Sequence, residues 1–443
     1  MSNELAAARA AGRRQVSPAL KGLGQWLRIP SISGDPAHRS DVMAAAEWIA
    51  ARLARITDNV RIVGSATNPV VLARVRGRHV AGTTVIYGHL DVKPPGPGWS
   101  SPPFEPVRRG LRLFARGASD DKGQLMAHVA AVEAWGSVGG PPGDVVLVVD
   151  AAEEVGSPGL AATLTGSAGL TGGEISAIVV SDTKMVSAGQ PSLTVSQRGM
   201  LGLDVRVSTR RPAVHAGRYG GVVADPTLVL ASGLLSAARA VTRVRAGGDR
   251  AHSARAGAAL SVTSCSSGTV PGSIPPAAKA TLDVRLPAGV DPAAFLPVIT
   301  AALRGTSDPR VDVEVACAAI SMGLSMRHPA DTRAAIDRAC RLAFGKRAVE
   351  VPSGGSIPAV AMLAHAVGRA PILLGLGPPD DGAHGPDEHI DLADWAKSLD
   401  AAVCLLQLLP TRLDVSRGRH SIDLGTRLIH RGPSGPRLQG AVP

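Results

Sequence analysis

A chain of 443 residues with 45% hydrophobic and 19% charged side chains is long enough for roughly two to three domains, and it is neither disordered nor fibrous. No run of about 18 apolar residues occurs, which argues against a membrane-spanning helix, and the stretch from Met1 to Gly24 lacks the apolar core of an export signal. The net charge of +11 comes mainly from arginine, partly in the tail after Pro410, with no basic stripe interleaved with aromatics, so neither a nucleic acid nor a membrane is the expected partner.

Helices and strands alternate in the first part of the chain. Met43 to Ile56 has a helical pattern with Asp41 as its cap, and Thr83 to Tyr87 is a short buried strand before a Pro/Gly-rich loop. Lys122 to Trp135 places Leu125, Val129 and Val132 at helical spacing, which leaves His128 facing outward. Asp144 to Ala151 and Ile175 to Ser181 are continuous β-branched runs, the pattern of strands covered on both faces. Ala359 to Val367 (helix) and Pro371 to Leu376 (strand) resume this style near the carboxyl end.

Between these parts the pattern changes to alternating strands, at Ser192 to Val195, Leu201 to Val207, Leu260 to Ser264, Ala280 to Leu286 and Val311 to Val315. Helical stretches at Pro226 to Ala240 and Pro292 to Leu303 fall among them, giving a β-α-β-β-α-β order. The expected organisation is an α/β domain over 1–190 and 314–412, an inserted α+β domain over 191–313, and a flexible basic tail over 413–443. Cys265, Cys317, Cys340 and Cys404 are scattered and read as free thiols of a reducing compartment, hence a cytoplasmic protein.

Five chemically notable side chains fall where the strands end: His89, Asp120, Glu154, Asp182 and His384. The carboxyl ends of strands are where open α/β sheets build their sites. In His89-Leu90-Asp91 the two outer side chains share one side of an extended segment, so Asp91 can hold the second ring nitrogen of a ligating His89. Asp120 and Asp121 open a helix and can be simple caps, or Asp120 can bridge two cations. The paired carboxylates Glu153 and Glu154 have no basic neighbour in the sequence, so one can bind a cation while the other takes a proton. His384 lies between glycines, which allow close backbone approach. His389 reads as structural or as a surface residue. A donor set of nitrogen and oxygen without thiolate suits zinc, manganese or cobalt.

Tyr87-Gly88-His89-Leu90-Asp91-Val92, Arg116 to Gly123, Glu153-Glu154-Val155-Gly156-Ser157, Ser181-Asp182 and Asp381-Gly382-Ala383-His384 resemble, in order, the motifs of the dinuclear zinc metallopeptidases. That group includes carnosinase-type dipeptidases, carboxypeptidase G and acetylornithine or succinyl-diaminopimelate deacylases. The carnosinase-type subgroup is the nearest, through Gly-His-Leu-Asp-Val, Gln197-Arg198-Gly199 and Gly354-Gly355-Ser356-Ile357-Pro358.

The resemblance implies a zinc-peptidase-like α/β domain with a mainly parallel sheet and an inserted ferredoxin-like lid that also forms a homodimer. It implies two divalent ions, zinc above all, with Asp120 bridging, His89 and Asp182 completing one site, and Glu154 and His384 the other. Glu153 is then the general base, Asp91 orients His89, and His215 reaches the partner subunit's site to stabilise the oxyanion. Arg285 pairs with the substrate's free carboxylate, and Ser356 also binds substrate. The expected reaction is hydrolysis of dipeptides or small peptides, with removal of an acyl group from an amino acid as the alternative. This chain departs from the pattern at His215-Ala216-Gly217, where relatives carry His-Ser-Gly, and at Thr269 to Pro275, where a threonine used by some relatives is not cleanly supplied.

Overall fold

The computed structural model describes residues 2–79, 82–165, 174–244, 257–268, 270–305 and 308–409. The expected tail over 413–443 and Thr269 lie outside these residues. The larger body is built on a nine-stranded sheet. At its centre Val145–Asp150, Thr83–His89, Ile175–Val180 and Ile372–Gly375 run parallel in that order. The hairpin Val60–Ser65/Asn68–Val75 flanks one side in antiparallel pairing, and Ser192–Gln197 closes the other against Ile372–Gly375. Leu324–Ser325 and Val349–Pro352 both pair with Ser192–Gln197.

Each central strand divides its side chains between two cores because strand side chains alternate sides. Ile86, Leu147, Val149 and Val179 join one core with Leu23, Trp26, Leu125, Val129, Leu399 and Val403 of the covering helices. Val85, Tyr87, Val146, Val148, Ile178 and Val180 join the other, under Leu160, Leu164, Val360 and Leu363. Helices on both faces explain why these strands read as unbroken apolar runs.

The smaller body is an antiparallel sheet ordered Ala259–Ser266, Ala277–Leu286, Gly199–Ser208, Asp312–Ser321. Helices Pro226–Thr242 and Pro292–Arg304 pack on one face of it, giving the ferredoxin-like β-α-β-β-α-β topology. Both helices start from an aspartate cap followed by proline, Asp225-Pro226 and Asp291-Pro292, with the carboxylate accepting an N–H two residues on.

Several expectations are corrected. Ser192–Gln197, expected in the inserted domain, lies in the large sheet; neighbours on both sides and two covered faces place it there. The helix expected to start at Met43 spans Arg39–Leu53, and Asp41 is bonded to the His38 ring rather than capping it. His128 does not face outward, because the helix Lys122–Gly136 is buried on nearly every side; its Nε2 lies 2.8 Å from the Ser181 hydroxyl. The Asn3–Trp26 helix has no counterpart among the expected elements. Its buried face is largely alanine and glycine, which gives a weak apolar signal.

Candidate metal centre and active site

Three parallel strands deliver the site. His89 ends Thr83–His89 and pairs in register with Asp150; Glu153 and Glu154 follow that neighbour, and Asp182 follows Ile175–Val180. Asp120 sits in the loop before the Lys122–Gly136 helix, across a cis peptide bond from Asp121. His384 has a φ of 63°, a left-handed conformation uncommon for a side-chain-bearing residue, beside Gly382 at 70°.

The two oxygens of Asp120 face two different histidines. Oδ1 is 3.0 Å from His89 Nε2 and Oδ2 is 3.0 Å from His384 Nε2. Asp182 Oδ1 lies 3.8 Å from the same His89 nitrogen, and Glu154 Oε2 lies 3.3 Å from the His384 nitrogen. Ligand atoms of His89, Asp120 and Asp182 therefore converge within 4.8 Å of one another, as do those of Asp120, Glu154 and His384. Among the described residues these are the two such groups.

Asp91 is fully buried and has two tasks. Its Oδ1 is 3.4 Å from His89 Nδ1, whose closer contact is the Asp91 carbonyl oxygen at 3.1 Å. The same carboxylate accepts the backbone N–H groups of Glu153 (3.1 Å) and Glu154 (3.0 Å), so it also fixes the paired glutamates. The absence of a cation near that pair holds for the sequence alone: Lys93 Nζ is 3.2 Å from Glu154 Oε2 and donates to the Glu154 carbonyl. Asp121 holds the N-cap position of the Lys122–Gly136 helix, but its side chain makes no capping bond; instead its carboxylate accepts the His89 N–H at 3.2 Å.

The electrostatics show what the cluster demands. Burial, reinforced by the Asp120 charge, pushes the Asp182 carboxyl up to about 6. Burial also lifts Glu153 well above the usual carboxylate range; the His89 ring opposes this, and Asp182, Glu154 and Asp91 add to it. Burial works against Asp120 too, yet hydrogen bonds from His384 and His89 hold its carboxyl far below the ordinary value. His384 is raised to about 10 by Asp120 and Glu154. Carboxylates crowded out of water need positive charge, and two positions walled by imidazole nitrogen and carboxylate oxygen fit divalent cations. No cysteine is involved: Cys340 and Cys404 are buried elsewhere, and Cys265 and Cys317 are exposed.

The remaining expected residues are not in this cluster. Arg285 Nη1 donates to the Ser356 hydroxyl at 3.1 Å, while its Nε and Nη2 grip Asp283 at 2.6 and 2.7 Å. Ser356 in turn donates to the Arg198 carbonyl, and Arg198 reaches Gly354 and Gly257. Arg285 and Ser356 thus meet where the two bodies join. His215 is exposed on the two-residue strand Val214–His215, paired with Ser273–Ile274, and among the described residues it makes no hydrogen bond or ion pair with the cluster. The sequence offered no sign of Glu388 and, although it placed Arg116 and Lys122 in a motif, gave them no role; all three are fully or almost fully buried. His389 is buried and held through Nδ1 to the Asp387 carbonyl, the structural alternative.

The model of peptidase family M20/M25/M40 matches residues 85–408, most of the chain and every ligand position above. The chain belongs to that family. In sequence this M20-family chain is 29% identical over 218 residues to the Cys-Gly metallodipeptidase dug1 of Schizosaccharomyces pombe, covering 46% of each protein. It is 29% identical over 220 residues to the human Beta-Ala-His dipeptidase, covering 46% of this chain and 43% of that one. The matched stretch spans about half the length of these relatives. In structure it resembles the di-peptidase Dug1p from Saccharomyces cerevisiae, with a TM-score of 0.79 at 22% identity over 92% of this chain and 99% of that one. Human carnosine dipeptidase 1 gives 0.74 at 21% identity over 91% and 99%. At these identities the structural likeness supports the shared two-body fold.

Proposed function

We propose that the protein is a dinuclear metal-dependent dipeptidase. The observation that carries this reading is the split of the Asp120 carboxylate between His89 and His384, each backed by its own second carboxylate. His89, Asp120 and Asp182 would hold one ion and Asp120, Glu154 and His384 the other, with zinc the first choice for this donor set. When bound, such ions supply Lewis acidity, polarising an amide carbonyl and making a water acidic near neutral pH.

The chain's own groups do the rest. Glu153 accepts the proton of the attacking water and passes it to the leaving amine, a task suited to a carboxyl whose buried setting raises its affinity for protons. Asp91 holds the His89 ring and the glutamate pair in register. Arg285, immobilised by Asp283 and beside Ser356, binds the substrate's terminal carboxylate. His215 serves the site of a second copy, with the ferredoxin-like body acting as lid and dimer contact. The free cysteines suit a cytoplasmic setting.

The names of the sequence relatives favour dipeptides over N-acyl amino acids. Ion-loaded protein should hydrolyse members of a dipeptide panel and lose that activity to a chelator. Faster hydrolysis of N-acyl amino acids than of every dipeptide would reverse the substrate assignment.

A further inference from the structure

Glu388 is 0% exposed and lies outside both candidate ion positions, yet all its hydrogen-bonding capacity is directed at the loop that presents Asp120. Its Oε2 accepts from Arg116 Nη1 at 2.7 Å and from the Gly117 N–H at 2.9 Å. Its Oε1 accepts from the Ser119 N–H at 2.8 Å and the Asp120 N–H at 2.9 Å. A carboxylate offers about four acceptor sites, so the group is saturated by one short segment. The guanidinium that supplies its counter-charge is fixed as well, 1% exposed and lying 5.3 Å from the Trp99 ring centre.

The segment carrying Glu388 also carries His384, and it is tied to the Asp120 loop a second time. Asp381 accepts the Ser119 hydroxyl at 2.7 Å and the Ala383 N–H at 2.9 Å, and its carbonyl accepts the His389 N–H at 2.9 Å. One turn, 381–389, therefore sets the relative placement of Asp120 and His384.

We propose that Glu388 is a positioning residue for the bridging ligand: it winds the Arg116–Asp120 loop around its carboxylate and so fixes the angle at which Asp120 faces both ion positions. This inference rests on the two-ion reading of the site. A buried ion pair is a weak source of stability in itself, so the arrangement has to be explained by the geometry it imposes. Glutamine cannot replace it. Its amide NH2 would confront two N–H donors, and the loop would have to turn to separate them.

Because Asp120 is shared, the signature is joint. Glu388→Gln should weaken both ion-binding steps together, by about 10–100-fold as is usual for groups that orient ligands, whereas His384→Ala weakens one step. The test is calorimetric titration of chelator-stripped full-length protein with zinc alone, together with the visible spectrum of the cobalt-loaded protein. Joint loss of affinity and an altered cobalt spectrum are expected for Glu388→Gln. Glu133→Gln, which breaks the distant 2.8 Å pair with Arg52, is the control for general destabilisation and should leave both ion affinities unchanged. Wild-type affinities in Glu388→Gln, or a loss confined to one step, would overturn the proposal. If that variant fails to fold, Glu388→Asp decides: it keeps the charge but withdraws it by one methylene, and wild-type binding in it would equally overturn the proposal. A wild-type chain that binds no pair of ions would instead overturn the two-ion reading, and this inference with it.

Discussion

Replacing His128 by glutamine should flatten the acid side of the stability profile. The ring is 3% exposed within a helix buried almost all round, and burial lowers its pKa from 6.5 to about 4. Folded His128 therefore stays neutral down to about 4, while the unfolded side chain takes up a proton near 6.5. Between those values the unfolded state binds more protons, so this contribution to stability is complete above the unfolded pKa and is lost as the pH falls. The loss amounts to about 2.5 kcal/mol between pH 7.5 and 4.5. Glutamine still reaches Ser181, the residue before Asp182, but has no proton to gain. Urea unfolding of chelator-treated wild type and His128→Gln at the two pH values isolates the effect, because all other titrating groups are common to both. The wild type should lose more stability than the variant by about that amount, and equal losses would refute the argument.

Glu153→Ala should retain both ions yet lose activity by about 10²–10⁴-fold, measured as turnover beside metal content; full activity at normal metal content sinks the base assignment. Arg285→Ala should raise KM for dipeptides by about 10–100-fold, the worth of a charge-assisted hydrogen bond, and leave ion affinity unaltered. A fall in kcat with KM unchanged would place Arg285 elsewhere in the reaction. Gly123→Ala should be poorly tolerated, since an added Cβ would lie 1.8 Å from the Ala118 carbonyl oxygen, in the loop leading to Asp120. A melting temperature equal to that of the wild type would contradict that reading.

What the sequence made legible follows from distance along the chain. Apolar runs such as Val145–Asp150 announce their strands because covering helices hide both faces. The ligands at the ends of those strands stand out for the same reason: His89 interrupts an apolar segment and Asp182 follows one closely. The Asp-Pro starts of Pro226–Thr242 and Pro292–Arg304 are equally local signals. Glu388 was invisible because its meaning lies in donors some 270 positions earlier, with nothing nearby to mark it as buried. Lys93 shows the same limit, since only folding brings it to Glu154 across 61 residues. Ser192–Gln197 was misplaced because a short strand's own alternation carries no information about which sheet it joins; its partners lie as far off as Ile372–Gly375. The alanine-rich Asn3–Trp26 helix escaped because small residues fill its packed face.

The most direct test is turnover of a dipeptide as zinc is added in equivalents to chelator-stripped protein. A bridging Asp120 with a separate histidine and carboxylate on each side predicts that activity climbs to its plateau only with the second equivalent. Full activity in the stripped protein, or a plateau reached at one equivalent, would contradict the account.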